Sequence, residues 1–152
     1  MNNKNRTDSY IPDAIEALTV TGIAKNGKVD SSYRGQISSF GAAVTIGSFK
    51  QAVAFFAQDA KNGASKISRS DLILAIDYIL NKDNYELGKN KTIENKKDKV
   101  NHIKEDILKM TDPKLRKSLE NRYLDAAVAL KVAMGVYDMK SENEKDKREK
   151  EE

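Results

Sequence analysis

The stretch from Asp112 to Tyr137 constrains the fold more than any other part of this chain. Leu115, Leu119, Arg122, Ala126, Leu130, Ala133 and Tyr137 follow one another at spacings of 4, 3, 4, 4, 3 and 4. All but Arg122 therefore lay an apolar stripe along one side of a helix. A strand, which turns its side chains to alternate faces, cannot use that spacing. Asp112 suits the N-cap and Pro113 the first helical position, where a missing N–H leaves no bond unmade.

The same period runs upstream. From Ser31 or Ser32, Tyr33, Ile37, Phe40 and Val44 recur at spacings of 4, 3 and 4. Gly47-Ser48 reads as a short joint. Phe49, Val53 and Phe56 then continue the pattern, with Ala52, Ala54 and Ala57 allowing a neighbour to approach closely. Asn62-Gly63 supplies a left-handed stop. Ser68 or Ser70 can cap the next helix, whose Leu72, Ile73, Ile76, Ile79 and Leu80 form a wide apolar face. Val100, Ile103, Ile107 and Met110 mark a short helix that ends before Asp112.

At the other end, Ser9 suits a helix cap, with Pro12 in the first turn and Ile11, Ile15 and Leu18 on one side. The run Leu18-Thr19-Val20-Thr21 suits a strand as well, and Gly22 and Asn26-Gly27 break the element. The expectation is an all-α chain, a single compact bundle of about six helices. The helical domain is expected over residues 9–139, after a flexible N-terminus at 1–8. The Lys/Asn-rich segment 82–99 reads as a mobile linker, and 140–152 as a charged tail, disordered or a frayed helix.

Composition narrows the chemistry. The 152 residues fit one domain and contain no Cys and one His, His102. A disulfide framework, a thiolate zinc site, an iron–sulfur centre and a cysteine nucleophile are excluded, and so is a histidine-rich metal site. No apolar run approaches the ~20 residues that span a bilayer. Met1 to Ser9 lack the apolar stretch of a secretory signal, so a cytoplasmic chain without membrane contact is expected.

The net charge of +4 is uneven. Residues 28–70 hold six basic side chains (Lys28, Arg34, Lys50, Lys61, Lys66, Arg69) against Asp30 and Asp59. A basic stretch of this kind favours a polyanionic partner through phosphate contact and counterion release.

Three motifs carry enzyme-like readings. Gly22-Ile23-Ala24-Lys25-Asn26-Gly27-Lys28 has the spacing of a phosphate-cradling loop, but Val29 stands where a hydroxyl must reach a metal. Leu72-Ile73-Leu74-Ala75-Ile76-Asp77 resembles an apolar strand ending in a magnesium-binding Asp, yet a capped helix explains it better. His102, Glu105 and Asp106 can share one helical face, where ordinary charge pairing accounts for them. Phe49, Phe55 and Phe56 sit among small apolar residues and read as core rather than as a base-stacking platform. No catalytic residue, cofactor or metal ligand is expected.

Two stretches carry a family resemblance. Tyr33-Arg34-Gly35-Gln36-Ile37-Ser38-Ser39-Phe40, leading to Ile46-Gly47 and Gln51-Ala52-Val53-Ala54-Phe55-Phe56, resembles the small helical subunit of the type III-B (Cmr) CRISPR effector. Tyr123-Leu124-Asp125-Ala126-Ala127-Val128-Ala129-Leu130-Lys131 is similar to that family's closing helix. The equivalent small subunit of the type III-A (Csm) complex is the near alternative. The resemblance implies a non-catalytic subunit of an antiviral RNA-targeting complex. It would stack in copies beside the backbone subunits and help hold CRISPR RNA and target RNA. Arg34, Lys50, Lys61, Lys66 and Arg69 would then meet phosphates, while Tyr33, Phe40, Tyr123 and Lys131 serve packing or subunit contact. A helical adaptor that binds protein only, and more remotely a P-loop-like nucleotide-binding enzyme, are the alternatives.

Overall fold

In a computed structural model that describes residues 3–58 and 67–140, six α-helices make up most of the chain. They are α1 (Asn3–Val20), α2 (Ser31–Ile46), α3 (Phe49–Phe56), α4 (Arg69–Leu80), α5 (Lys96–Lys109) and α6 (Pro113–Met134). Short strands β1 (Ala24–Lys25), β2 (Lys28–Asp30) and β3 (Asp138–Lys140) form a small sheet in the order β1-β2-β3. β1 and β2 are antiparallel, and β2 and β3 are parallel. The expected all-α bundle is what the chain forms.

α6 is the axis of the bundle, with α1, α2 and α4 packed against it. Tyr123, Ala126, Ala129, Leu130, Ala133 and Met134 of α6 are buried there. Phe40 meets Phe56 edge-on at 5.2 Å, and Phe49 meets Tyr123 at 5.0 Å. Each such ring or branched side chain, fully buried, contributes about 1.5–3 kcal/mol. α1 runs alongside α6 and is pinned at both ends. Arg6 Nε donates to Asp125 Oδ2 at 2.5 Å near one end, and Tyr137 donates to the carbonyl of Ile15 at 3.2 Å near the other.

Local chemistry explains the boundaries. Asp30 caps α2 by accepting from Ser32 N at 2.8 Å, and Ser48 caps α3 by accepting from Gln51 N at 3.1 Å. Asp112 accepts from Lys114 N and Leu115 N, with Pro113 opening α6, as its sequence indicates. No helix among the described residues is long and apolar enough to cross a membrane.

Several boundaries differ from expectation. α1 begins at Asn3, so residues 3–8 are helical rather than flexible. Ser9 is no cap; its hydroxyl donates back to the carbonyl of Arg6 at 2.7 Å, inside the helix. Residues 82–99 are built rather than a free linker. A single 3-10 turn (Lys82–Asn84) leads to an antiparallel bridge between Leu87 and Ile93. Ile93 is buried in the core, its N–H bonded to the carbonyl of Val20 at 2.9 Å, and α5 already starts at Lys96. One buried isoleucine anchors a segment whose composition suggested solvent. The α6 stripe is also rotated at its start, for Leu115 is 61% exposed, and Tyr137 lies beyond the last helical turn. The Asn62-Gly63 stop and the tail beyond residue 140 lie outside the described residues.

Candidate functional site

Among the described residues, those expected to hold phosphate (Arg34, Lys50 and Arg69) do not form one surface. Arg34 is exposed on α2. Arg69, at the start of α4, donates from Nε to Gln36 Oε1 at 3.1 Å and lies 5.0 Å above the Phe55 ring. At 3.6 residues per turn, Arg34 and Gln36 flank opposite sides of the buried Tyr33–Ile37–Phe40 stripe, so Arg34 and Arg69 face apart. Lys50 is committed to structure. Its ammonium donates to the carbonyls of Leu108 at 3.0 Å and Met110 at 2.6 Å, closing the C-terminal end of α5. Lys61 and Lys66 lie outside the described residues.

Three of the expected subunit contacts are core residues instead. Phe40 is 0% exposed and Tyr123 2%, and the buried Tyr33 hydroxyl accepts from Ser68 N at 3.2 Å. Packing within the chain is the role these aromatics fill. Lys131 differs, being exposed on the outer side of α6 beside Val128 and Val132, each about half exposed.

The enzyme-like motifs dissolve into ordinary structure. Asn26 and Gly27 have φ of 54° and 74° and form the two-residue turn between β1 and β2, the mirror-image turn that Asn-Gly favours. Gly22-to-Lys28 is therefore a hairpin. Leu72 to Asp77 lies within α4. His102 Nε2 sits 3.4 Å from Asp106 Oδ2 on the open face of α5. No group of three or more metal-binding side chains comes together among the described residues.

Two of the concavities among the described residues differ in charge. The first lies where the α2–α3 joint meets α6, a cleft of about 640 Å³ lined by Gly47, Ser48, Lys50, Arg116, Lys117 and Glu120, among others. The start of α6 is unusual. Its first turn has no acidic residue, while Lys114, Arg116 and Lys117 crowd the end where the helix dipole is already positive. Lys109 is exposed in the last turn of α5, five residues before Lys114. The two carboxylates nearby are engaged, Asp112 in the cap and Glu120 with Lys117 at 2.6 Å. Sequence reasoning weighted residues 28–70 and passed over this corner. The signal was present in three cations within five residues after an Asp-Pro helix start.

The second concavity is a cleft of about 750 Å³ between α4, α5 and α6. Ile103, Ile107 and Leu119 supply apolar surface, Tyr85 and Tyr123 supply rings, and Asp77, Asp98 and Asp106 supply carboxylates. Asp77 accepts from the Tyr85 hydroxyl and, at 2.9 Å, from Asn81 Nδ2. The Lys99 ammonium lies 5.0 Å from the Tyr85 ring centre, and Tyr78 packs edge-on behind it at 5.3 Å. Burial, then the Asp77 carboxylate, pushes the phenols of Tyr85 and Tyr123 well above the usual tyrosine value.

Comparison with known protein families, curated proteins and solved structures finds no match to this chain.

Proposed function

We propose that this chain is a non-catalytic helical subunit that holds RNA by its phosphates within an effector assembly, as its resemblance to the type III-B small subunit implies. The observation that carries this reading is the α6 start. Cations placed against a helix dipole cost stability, on the order of 0.3–1 kcal/mol each. They make physical sense where the resulting field serves to attract an anion. Arg116, Lys117 and the opening of α3 all border the same cleft, so two basic side chains and a helix start lie around one space. The contacts read backbone rather than base, which suits a subunit that must accept any guide sequence. The cytoplasm is the compartment in which such a complex works.

The test is a double charge reversal, Lys114→Glu with Arg116→Glu, assayed by RNA binding across a salt series. Affinity is expected to fall at least about tenfold, and the salt dependence to lose roughly 0.7–0.9 of slope per phosphate contact removed. Thermal stability is expected to hold or rise, because glutamates at a helix start favour the dipole. Unchanged affinity at every salt concentration would refute the assignment.

One observation favours a protein-contact role beside it. The outer face of α2 presents Gly35, Ser38, Ser39, Ala42 and Thr45, α6 exposes Val128 and Val132, and the turn after it exposes Val136. In a chain that is 33% charged, these faces suit neighbouring subunits, whether backbone chains or further copies.

A further inference from the structure

We propose that the cleft between α4, α5 and α6 binds a small organic cation, an ammonium or guanidinium on an apolar body, with the Tyr123 hydroxyl as its buried polar anchor. This goes beyond the RNA reading and does not rest on it, since the basic surface lies at the α2–α3 and α5–α6 corners.

Charge selects the ligand. Asp77, Asp98 and Asp106 face the cleft against the single ammonium of Lys99, so the site is negative in a chain of net charge +4. A smaller cleft alongside shares Asn84, Asn95 and Lys99 and adds Asp83, Glu86 and Glu94. An anionic ligand would meet repulsion throughout. Asp98 and Asp106 stand two turns apart on α5, about 12 Å along the axis, and bracket His102. The Tyr85 ring already accepts a cation, because Lys99 sits over it at 5.0 Å. Ile103, Ile107 and Leu119 give the apolar body of a ligand somewhere to rest. The cleft's size is that of small-molecule sites.

Tyr123 is the second, independent pointer. Its side chain is 2% exposed and lines the cleft, yet its hydroxyl has no hydrogen-bond partner among the described residues. Among the described residues no fully buried side-chain nitrogen or oxygen lacks a partner, so this hydroxyl opens onto the cleft. A phenol held neutral by burial can both donate and accept there, and a ligand's polar atom completes it.

The test uses the full chain and isothermal titration with phenethylammonium, compared with phenethyl alcohol and phenylacetate, which differ in charge on the same body. The cation is expected to bind about tenfold more tightly than the alcohol, and phenylacetate more weakly than both. Asp98→Asn with Asp106→Asn, both on the exposed face of α5, should erase most of the preference for the cation while lowering the melting temperature by no more than about 4 °C, the cost of taking Asp98 from the first turn of α5. Tyr123→Phe should weaken cation binding about tenfold. Equal affinity for cation and alcohol, no cation binding at millimolar concentration, or an unaffected Tyr123→Phe would each overturn the proposal. RNA binding by these variants should match the parent, so failure here is distinguishable from failure of the RNA reading.

Discussion

Phe40 offers the sharpest test of where the chain ends and its partners begin. The resemblance casts it as packing or subunit contact, whereas here the ring is 0% exposed and 5.2 Å from Phe56. Truncating a fully buried phenylalanine to alanine costs about 3–5 kcal/mol, from lost transfer energy and the cavity left behind. The edge-on ring pair accounts for about 0.5–1.5 kcal/mol within such a loss. Domains of this size are stable by about 5–15 kcal/mol, so Phe40→Ala should remove a large share without abolishing folding in every case. At about 2–4 °C per kcal/mol, the melting temperature should fall by about 6–20 °C. Urea unfolding followed by circular dichroism at two protein concentrations measures the effect. A lower midpoint with the same slope, independent of concentration, is expected. A loss under about 1 kcal/mol, or a midpoint that moves with concentration, would place Phe40 in an interface and refute the core assignment. Lys131→Glu is the companion, expected to leave stability within about 0.5 kcal/mol.

Two further outcomes follow from the structure. Gly27→Ala should cost about 1–2 kcal/mol by equilibrium unfolding, since φ is +74° and no neighbour crowds the added carbon; an unchanged midpoint would deny the mirror-image turn. Burial and the Glu16 carboxylate push the Tyr78 phenol up to about 12. Its neutral form is thus favoured in the fold, a stabilisation complete below pH 10 and lost as pH rises through about 12. The Tyr78 share of the tyrosine absorbance change should therefore come late and together with alkaline unfolding, and a titration complete near pH 10 with the fold intact would contradict this.

Much of the architecture was legible because helical spacing reports burial directly. Tyr33, Ile37, Phe40 and Val44 are the buried face of α2, and Val100, Ile103 and Ile107 that of α5. The caps at Ser48 and Asp112 were readable because their side chains act on their own local backbone. Tertiary effects were not readable. Ile93 draws a polar segment onto the core, and residues 138–140 pair with β2 across most of the chain. The site was less legible than the fold. Counting charge along residues 28–70 could not reveal that Lys50 bonds two carbonyls or that Arg34 and Arg69 face apart. The α6 start, with no acid in its first turn, borders the α2–α3 joint, a property of three dimensions.

Whether RNA touches the chain is the most direct examination of the proposed role. With guide and target RNA bound in the assembled complex, photochemical crosslinking and mass spectrometry should place adducts on peptides covering residues 109–117 and the joint at 47–50. Adducts confined to α5 beside Asp98 and Asp106, or none on this chain while neighbouring subunits are labelled, would contradict it.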